Sequence, residues 1–247
     1  MARRILIIAI IVGALGLLAA GVVAVYVFRP PATPSGVLTA IPVQAAGTQA
    51  SGSAPTAEGE AATAAPAGVI FAELIQGESQ ARFIIDEILN GEAKQVVGVS
   101  DQVAAQILID PSNPANVAMG PVQVNARTLV TDNDFRNRAI QNEILDTGLY
   151  EFITFTPKTF IGLPASGATG DTFEFQIVGD LTVRDVTLEV TFDMTVTVDS
   201  ETRLHGLGRT TISRGEFGLG VIRLPRQVAE LADRVILEIE FVAERVE

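Results

Sequence analysis

Few residues in this sequence have side chains suited to catalysis. Cysteine is absent and His205 is the only histidine, so thiolate chemistry is excluded and histidine chemistry depends on one residue. His205 lies in a polar segment that we interpret as an exposed strand. The sequence has neither a glycine-rich phosphate loop nor the spacing of an EF-hand calcium loop. We therefore expect no catalytic residue, no metal site and no cofactor.

Other polar residues are candidates for contact with the headgroup of a ligand. Asn133 and Arg136 are three positions apart in a predicted helix, which places them on one face. Arg214 lies close in sequence to Phe217. Each has a structural alternative, because Asn133 is also a good helix-capping residue and an arginine can pair within the protein. We include Asn133, Arg136, Arg214 and Phe217 among the candidate ligand-binding residues.

The apolar candidates are phenylalanines, of which the chain contains 12, whereas tryptophan is absent. Several of them occupy predicted strands, where alternate side chains face the same side of a sheet. The candidate lining of an apolar pocket consists of Phe83, Phe155, Phe173, Phe175 and Phe192. The alternative is that these rings only fill the core.

The charge of the chain narrows the range of partners. The formal net charge is −12, and 14 basic and 27 acidic residues follow residue 68. An acidic surface repels the phosphates of nucleic acids and also anionic lipid headgroups. We therefore expect no nucleic acid partner.

Hydropathy alternates with period two through most of the chain beyond residue 69. In residues 185–199, seven apolar side chains alternate with six polar ones, as in a strand with one buried face. Similar but shorter segments are residues 80–86, 102–109, 121–129, 152–161, 173–183, 202–213 and 233–243. Because no long helices alternate with them, the sequence predicts an all-β, antiparallel domain of about eight strands.

One segment departs from the strand pattern. Residues 131–133 offer helix-capping side chains, and residues 134–146 predict a short helix that ends before Gly148. In this helix Phe135, Ala139 and Leu145 are expected to face inward. Such a helix is expected to close one end of a barrel.

The N-terminal region predicts a membrane anchor. Residues 5–28 form a run of 24 residues without charge, and a helix of about 20 apolar residues spans a bilayer core. The alternative is a cleaved signal peptide, whose apolar region typically has about 7–15 residues. The run continues apolar beyond the small residues at 19–21, so we predict an uncleaved transmembrane anchor over residues 1–29.

Charges around the anchor set its expected orientation. Arg3 and Arg4 precede it, whereas Glu58 and Glu60 are the only charged residues in the 40 that follow Arg29. The positive-inside rule therefore places the N-terminus in the cytoplasm and the domain outside it. The Ala-, Pro-, Gly-, Ser- and Thr-rich residues between the two predict a disordered linker, with an r.m.s. reach of about 35 Å.

Four segments make the sequence resemble the YceI family. They are TDNDFRNRAI at 131–140, LDTGLYEFITF at 145–155, VGDLTVRDVT at 178–187 and RGEFGL at 214–219. They follow the order of the family's own motifs, and the likeness covers nearly the whole predicted domain. It does not extend to the anchor or the linker.

The resemblance implies an extended, lipocalin-like antiparallel β-barrel whose interior holds a long apolar chain, and some members bind polyisoprenoids. The sequence departs from the family pattern at Asn137, where Asp is usual, at Phe152, where Pro is usual, and at Asp185, where Gly is usual. If an Arg-Asp pair orders the helix in the family, Asn137 weakens that charge-assisted contact.

The chain is thus expected to comprise a transmembrane anchor (1–29), a disordered linker (30–68) and a YceI-like barrel domain (69–247). The leading hypothesis is a non-enzymatic, extracytoplasmic protein that binds or carries a long apolar lipid of the isoprenoid type. It would contact the membrane through its N-terminal helix, and homodimerisation stays open. The alternative is a structural or protein-interaction module whose barrel is filled by its own side chains. An interior void below about 100 Å³ favours the alternative, because ligand pockets measure some hundreds of Å³.

Overall fold

The computed structural model describes residues 29–43, 70–110, 113, 116–220 and 229–246. Twelve strands in this part of the chain form one mainly antiparallel sheet, which curls into a half-barrel. The strands are β1 (Ile70–Leu74), β2 (Gln80–Leu89), β3 (Glu92–Ser100), β4 (Val103–Ala104), β5 (Gln106–Ile109), β6 (Ala118–Met119), β7 (Val122–Asn125), β8 (Phe152–Ile161), β9 (Thr172–Val183), β10 (Val186–Val198), β11 (Arg203–Ser213) and β12 (Ala229–Arg245).

The sheet has the order β4-β7-β8-β9-β10-β11-β12-β1-β5-β6, and β2 and β3 continue from β12 beside β1. β4 and β5 are consecutive in the chain but lie at different places in this order, since β4 pairs with β7 and β5 with β1. Ala105, which separates them, is fully buried. One short stretch of chain therefore links the two flanks of the curled sheet.

Side chains on the concave face form the core. The register aligns inward residues across the sheet, for example Ile85 with Val235 and Val122 with Phe155. The long strands alternate as predicted, with Phe192 and Met194 buried between exposed neighbours on β10. This alternation follows from the pleat, which sends successive side chains to opposite faces.

Between β7 and β8 the chain forms the cover of one end of the half-barrel, which we define as residues 126–151. It contains a 3₁₀ turn (Ala126–Thr128), the helix α1 (Asp134–Ala139) and a π-helical turn (Ile140–Ile144). The hydrogen bond from the Leu145 amide to the Ile140 carbonyl, 2.8 Å long, spans five residues, as is typical of a π turn. Among the described residues, no helix has the length and apolar character needed to cross a membrane.

The all-β, antiparallel prediction is confirmed, but the expected number of about eight strands was too low. The predicted strand 102–109 is two strands, and the predicted strand 121–129 ends at Asn125 and continues as a 3₁₀ turn. The strands missing from the prediction are β1, β3 and β6. β1 and β6 have only five and two residues, too few for alternation to be recognised, and β3 begins with four exposed residues.

The predicted helix was also too long and partly misoriented. α1 ends at Ala139, and the π-helical turn shifts the buried face from there on. Leu145 is buried as predicted, whereas Phe135, which was expected to face inward, is 69% exposed and only borders the cavity. Its position in the first turn of α1 places it at the rim of the half-barrel.

Residues 29–43, which we call the strap, lie along the domain and differ from the expected disorder. Leu38 is buried, and its carbonyl accepts a hydrogen bond from the Gln76 side chain. The Val43 amide donates to Gln106 Oε1 at 2.9 Å. Burial and hydrogen bonds therefore order this part of the predicted linker. The rest of the linker and the predicted anchor before Arg29 lie outside the described residues.

Candidate functional site

The concave side of the half-barrel contains a cavity of about 500 Å³ beneath the cover. Most of its lining is apolar and comes from the ends of the strands nearest to the cover. The apolar lining includes Ala81, Phe83, Ile85, Val96, Val122, Val124, Ile153, Phe155, Leu181, Val183, Phe192, Ile212, Leu231, Val235 and Leu237. A cavity of this size and character falls within the range of small-molecule sites, about 300–1,000 Å³.

Two aromatic rings form the floor of the cavity. Phe155 and Phe192 meet edge to face, with ring centroids 4.8 Å apart and an interplanar angle of 61°. Both rings also line a second void of about 30 Å³ on the other side. Gly179 makes room for Phe155, because a Cβ there would lie 2.8 Å from two ring atoms. The aromatic pair thus separates the large cavity from a nearly filled remainder of the half-barrel.

The cover closes the opposite end of the cavity with apolar side chains. Ile140, Ile144 and Leu145 all line the cavity, and Ile140 and Leu145 are buried. An ion pair ties the cover to the wall, since Arg136 Nη2 lies 3.2 Å from Glu87 Oε2. Glu87 occupies an inward position on β2 and is buried. This pair is one of the few polar features in the cavity lining.

The start of α1 is fixed by local hydrogen bonds. The Asn133 side chain accepts from the Arg136 amide at 3.0 Å, so Asn133 is the N-cap. Asn137, the position where the sequence departs from the family pattern, accepts from the Thr131 amide and hydroxyl, each at 2.7 Å. An asparagine therefore orders this helix through Thr131.

Asp132, just before α1, pairs with the side chains of Lys94 and Arg136. A hydrogen bond from Lys94 is the main reason why the pKa of Asp132 lies below its ordinary value. Arg136 contributes a further hydrogen bond and charge attraction. These exposed pairs link the cover to β3 on the outside of the half-barrel.

Arg214 and Phe217 belong to the turn after β11. Arg214 lines the cavity, and its Nη1 donates to the Leu219 carbonyl at 2.6 Å. Phe217 is buried, with 2% of it exposed, but it is not among the residues that line the cavity. The pair therefore shapes the turn that forms one side of the cavity mouth.

The structure brings six of the nine candidate residues together around the cavity: Phe83, Asn133, Arg136, Phe155, Phe192 and Arg214. It places Phe173, Phe175 and Phe217 elsewhere. Phe173 and Phe175 lie at the start of β9, at the end of the half-barrel away from the cover. Alternation predicts which face of the sheet a side chain lies on, but not how far along the half-barrel it lies. The sequence therefore did not distinguish Phe173 and Phe175 from the phenylalanines that line the cavity. A ligand-binding role for any of the nine stays a prediction.

Sequence reasoning missed Glu87 and the residues of the π-helical turn. Glu87 was detectable, because it continues the inward series of Phe83 and Ile85 on β2. Ile140 and Ile144 carried no usable signal, since a π turn breaks the helical period on which the prediction rested. Gln141 is buried there and donates to the Arg127 and Leu129 carbonyls, both at 3.1 Å.

The polar groups near the cavity are engaged within the protein. Glu238 borders the cavity, and its Oε2 lies 3.5 Å from Arg82 Nε. His205 is exposed on β11 as predicted, with Nδ1 2.8 Å from Asp199 Oδ1. Among the described residues, no three histidine or carboxylate side chains converge to hold a metal ion. The arrangement offers an apolar volume rather than a set of reacting groups.

Comparison with known proteins agrees with this architecture. A family model described as YceI-like domain matches residues 73–243. Curated proteins gave no match. The matched segment contains all twelve strands except the first residues of β1 and the last of β12.

Two solved structures share the fold. A crystal structure of Burkholderia cenocepacia BcnA matches with a TM-score of 0.55 and 18% identity, covering 68% of this chain and 98% of that one. A structure described as a polyisoprenoid binding domain from Saccharophagus degradans, implicated in plant cell wall breakdown, matches with a TM-score of 0.57 and 14% identity. That match covers 72% of this chain and 99% of the other.

Proposed function

This chain belongs to the YceI-like family, and from that premise we propose that it binds one long apolar lipid in the cavity beneath its cover. A polyisoprenoid is the ligand class that we favour. The observation that carries the proposal is the cavity itself, with a volume of about 500 Å³ and a mainly apolar lining. Binding there removes the chain of the lipid from water, which is the dominant favourable term for such a ligand.

The described polyisoprenoid-binding function of the Saccharophagus degradans domain supports the choice of ligand. This support rests on the shared fold and not on sequence similarity, since the two sequences are only 14% identical. The few polar groups at the rim, such as Asn133 and Arg136, suit the polar end of a lipid better than its chain.

We further propose that the protein is anchored in the membrane through its N-terminal region, with the domain outside the cytoplasm. The support is the uncharged run of residues 5–28 and the two arginines before it. Resistance to alkaline extraction of membranes tests the anchor. Digestion of the domain by external protease in intact spheroplasts tests whether the domain lies outside the cytoplasm. Release by alkali or full protection from protease would contradict the proposal.

The alternative function, a module filled by its own side chains, finds less support. Only the half away from the cover is nearly filled, with a void of about 30 Å³. The other half holds a cavity far above the size expected for a filled barrel. An enzymatic role has no specific observation in its favour.

Lipid extraction from the purified domain tests the proposed ligand. A chain starting at Arg29 is suitable, because the two solved chains form this fold and are matched over 98–99% of their length. We expect organic solvent to release a long-chain lipid from protein purified without detergent. For emptied protein, a polyprenol at about 100 times its Kd should stabilise the fold by about 2.7 kcal/mol.

A pair of tryptophan variants separates cavity binding from adsorption to the surface. Ala81→Trp places a large ring in the cavity that Ala81 lines, and should abolish both lipid recovery and the rise in Tm. Leu207→Trp adds the same ring at a partly exposed position on β11 and should change neither. Equal lipid content in the two variants would contradict binding in the cavity.

A further inference from the structure

The strap fixes the point at which the apolar N-terminal run meets the domain. Arg29, the residue directly after residues 5–28, contacts the cover through both its main chain and its side chain. The Asn142 amide donates to the Arg29 carbonyl at 3.1 Å, and Arg29 Nη2 donates to the Asn142 carbonyl at 3.3 Å. The same guanidinium lies 3.5 Å from Asp146. Asn142 is buried, so this contact also satisfies an amide that water does not reach.

Further contacts hold the strap beyond Arg29. Arg127 Nη1 donates to the Thr33 carbonyl at 3.0 Å and to Glu151 Oε2 at 2.7 Å. The amide and hydroxyl of Ser35 both donate to Glu151 Oε1 at 2.8 Å. Docking therefore rests on several contacts, and the chain is held against the cover from Arg29 onward. The expected reach of about 35 Å for a disordered tether does not apply to this end of the domain.

The cover also exposes two large apolar side chains. Leu149 is 76% exposed and lies three residues after Asp146, the ion-pair partner of Arg29. Phe135 is 69% exposed and at the same time lines the mouth of the cavity. Aromatic and aliphatic side chains exposed in this way are typical of surfaces that enter the boundary between headgroups and acyl chains.

We propose that the cover rests on the lipid bilayer that residues 5–28 enter, with Phe135 and Leu149 inserted at its surface. The docked strap sets this orientation, so that the mouth of the cavity faces the membrane. A long apolar ligand then passes between bilayer and cavity without crossing water. The inference rests on the proposed anchor and on the proposed lipid ligand.

Quenching by brominated lipid in vesicles of phosphatidylcholine tests the orientation. Because the chain has no cysteine, single cysteines can be introduced into the full-length protein and labelled with an environment-sensitive fluorophore. We expect labels at Leu149→Cys and Phe135→Cys to be quenched at least about threefold more than a label at Glu201→Cys, an exposed position in the β10–β11 turn at the other end.

An insertion variant of the full-length protein tests the part played by the strap. Twenty Gly and Ser residues inserted between Phe28 and Arg29 add an r.m.s. reach of about 25 Å and should lower quenching at Leu149 to the level of Glu201. Equal quenching at Leu149 and Glu201 without the insertion would overturn the proposal. The proposal would also be overturned if the insertion left quenching at Leu149 unchanged, or if the full-length chain did not float with the vesicles. Lipid extraction from the chain starting at Arg29 needs no bilayer, so a failure of ligand binding is recognised separately.

Discussion

Phe155 and Phe192 occupy a boundary between two parts of one half-barrel. On one side of the pair lies the cavity of about 500 Å³, and on the other a void of about 30 Å³. Two rings in edge-to-face contact resist displacement more than aliphatic side chains of the same area. In the proposed function, the pair sets how deep the apolar chain of the ligand enters.

Shortening one ring should lengthen the ligand that the protein accepts. In Phe155→Leu the smaller side chain joins the cavity to the void beyond, at a cost in stability below the roughly 3–5 kcal/mol of a Phe→Ala change. When the protein is offered a mixture of polyprenols of graded length, the bound fraction should shift to longer chains. Mass spectrometry of the extracted lipid measures the shift.

Phe217→Leu is the matched control for this prediction. Phe217 is buried to a similar degree but does not line the cavity, so its replacement should reduce stability and leave the length distribution unchanged. Identical distributions for Phe155→Leu and the parent protein would show that the aromatic pair does not limit depth.

At the scale of elements, β1 and β2 act as one interrupted strand along β12. β1 pairs with the last residues of β12, and β2 pairs with Ala229 to Glu240. At the break, the Ser79 hydroxyl donates to the Val242 carbonyl at 3.2 Å and accepts from the Val242 amide at 3.1 Å. Ser79 is 1% exposed. Its side chain bridges the break together with the Ile75 amide, which donates to the same carbonyl at 2.8 Å.

Ser79→Ala should therefore destabilise the fold by about 1–3 kcal/mol, since the Val242 amide loses the Ser79 hydroxyl as its acceptor. The Val242 carbonyl keeps a hydrogen bond from the Ile75 amide at 2.8 Å. Denaturant unfolding followed by circular dichroism measures the change. Ser166→Ala, at an exposed position in the β8–β9 connection, should alter stability by less than about 0.5 kcal/mol. A Ser79→Ala variant as stable as Ser166→Ala would refute this account of the break.

The docking of the strap should depend on pH through Glu151. Burial alone raises the pKa of Glu151, but hydrogen bonds from Ser35, the charge of Arg127 and a hydrogen bond from Asn125 together lower it below its ordinary value. A carboxyl whose pKa is lowered by folding stabilises the folded contacts above its ordinary pKa. That contribution is lost as the pH falls through the lowered pKa, so the strap should loosen in acid.

A fluorophore at Val37→Cys, an 87% exposed position in the strap, reports this change. Its anisotropy should fall as the pH is lowered from about 5 into the acid range, while circular dichroism verifies that the sheet persists. In Glu151→Gln the anisotropy should already be low at neutral pH and should no longer change with acid. Constant anisotropy in the parent protein over this range would contradict the role of Glu151.

The strands, the strap and the cavity differ in how well they could be predicted from the sequence. The long strands β8 to β11 were predicted to within one residue at each end, because alternation over ten or more residues has no rival interpretation. β12 was predicted over residues 233–243, but it begins four residues earlier and ends two residues later. The order of the strap was missed, because Pro, Ala, Thr, Ser and Gly dominate its composition and it has no aromatic residue. Its order comes from partners distant in the sequence, such as Gln106 and Glu151. The sequence predicted an apolar cavity but not its position in the half-barrel. That position depends on strand register and on depth along the strands, which are properties of the tertiary structure.

For the whole molecule, the net charge opposes the orientation that the cover and strap favour. The part of the chain after residue 68 has 14 basic and 27 acidic residues, so an anionic bilayer repels the domain as a unit. Apolar insertion of Phe135 and Leu149 acts over a few ångströms, whereas the repulsion extends over about a Debye length, roughly 10 Å at 0.1 M salt. The composition of the bilayer should therefore tune how closely the mouth approaches it.

The last prediction follows from this balance. For the full-length chain labelled at Leu149→Cys, quenching by brominated lipid should decrease as phosphatidylglycerol replaces phosphatidylcholine, and added salt should restore it by screening. The label at Glu201→Cys should respond to neither change, because it lies at the end of the half-barrel away from the membrane. Quenching at Leu149 that increases with the anionic lipid would mean that basic residues of the cover, such as Arg138, dominate the contact. Quenching that is independent of both lipid charge and salt would mean that the strap alone positions the domain.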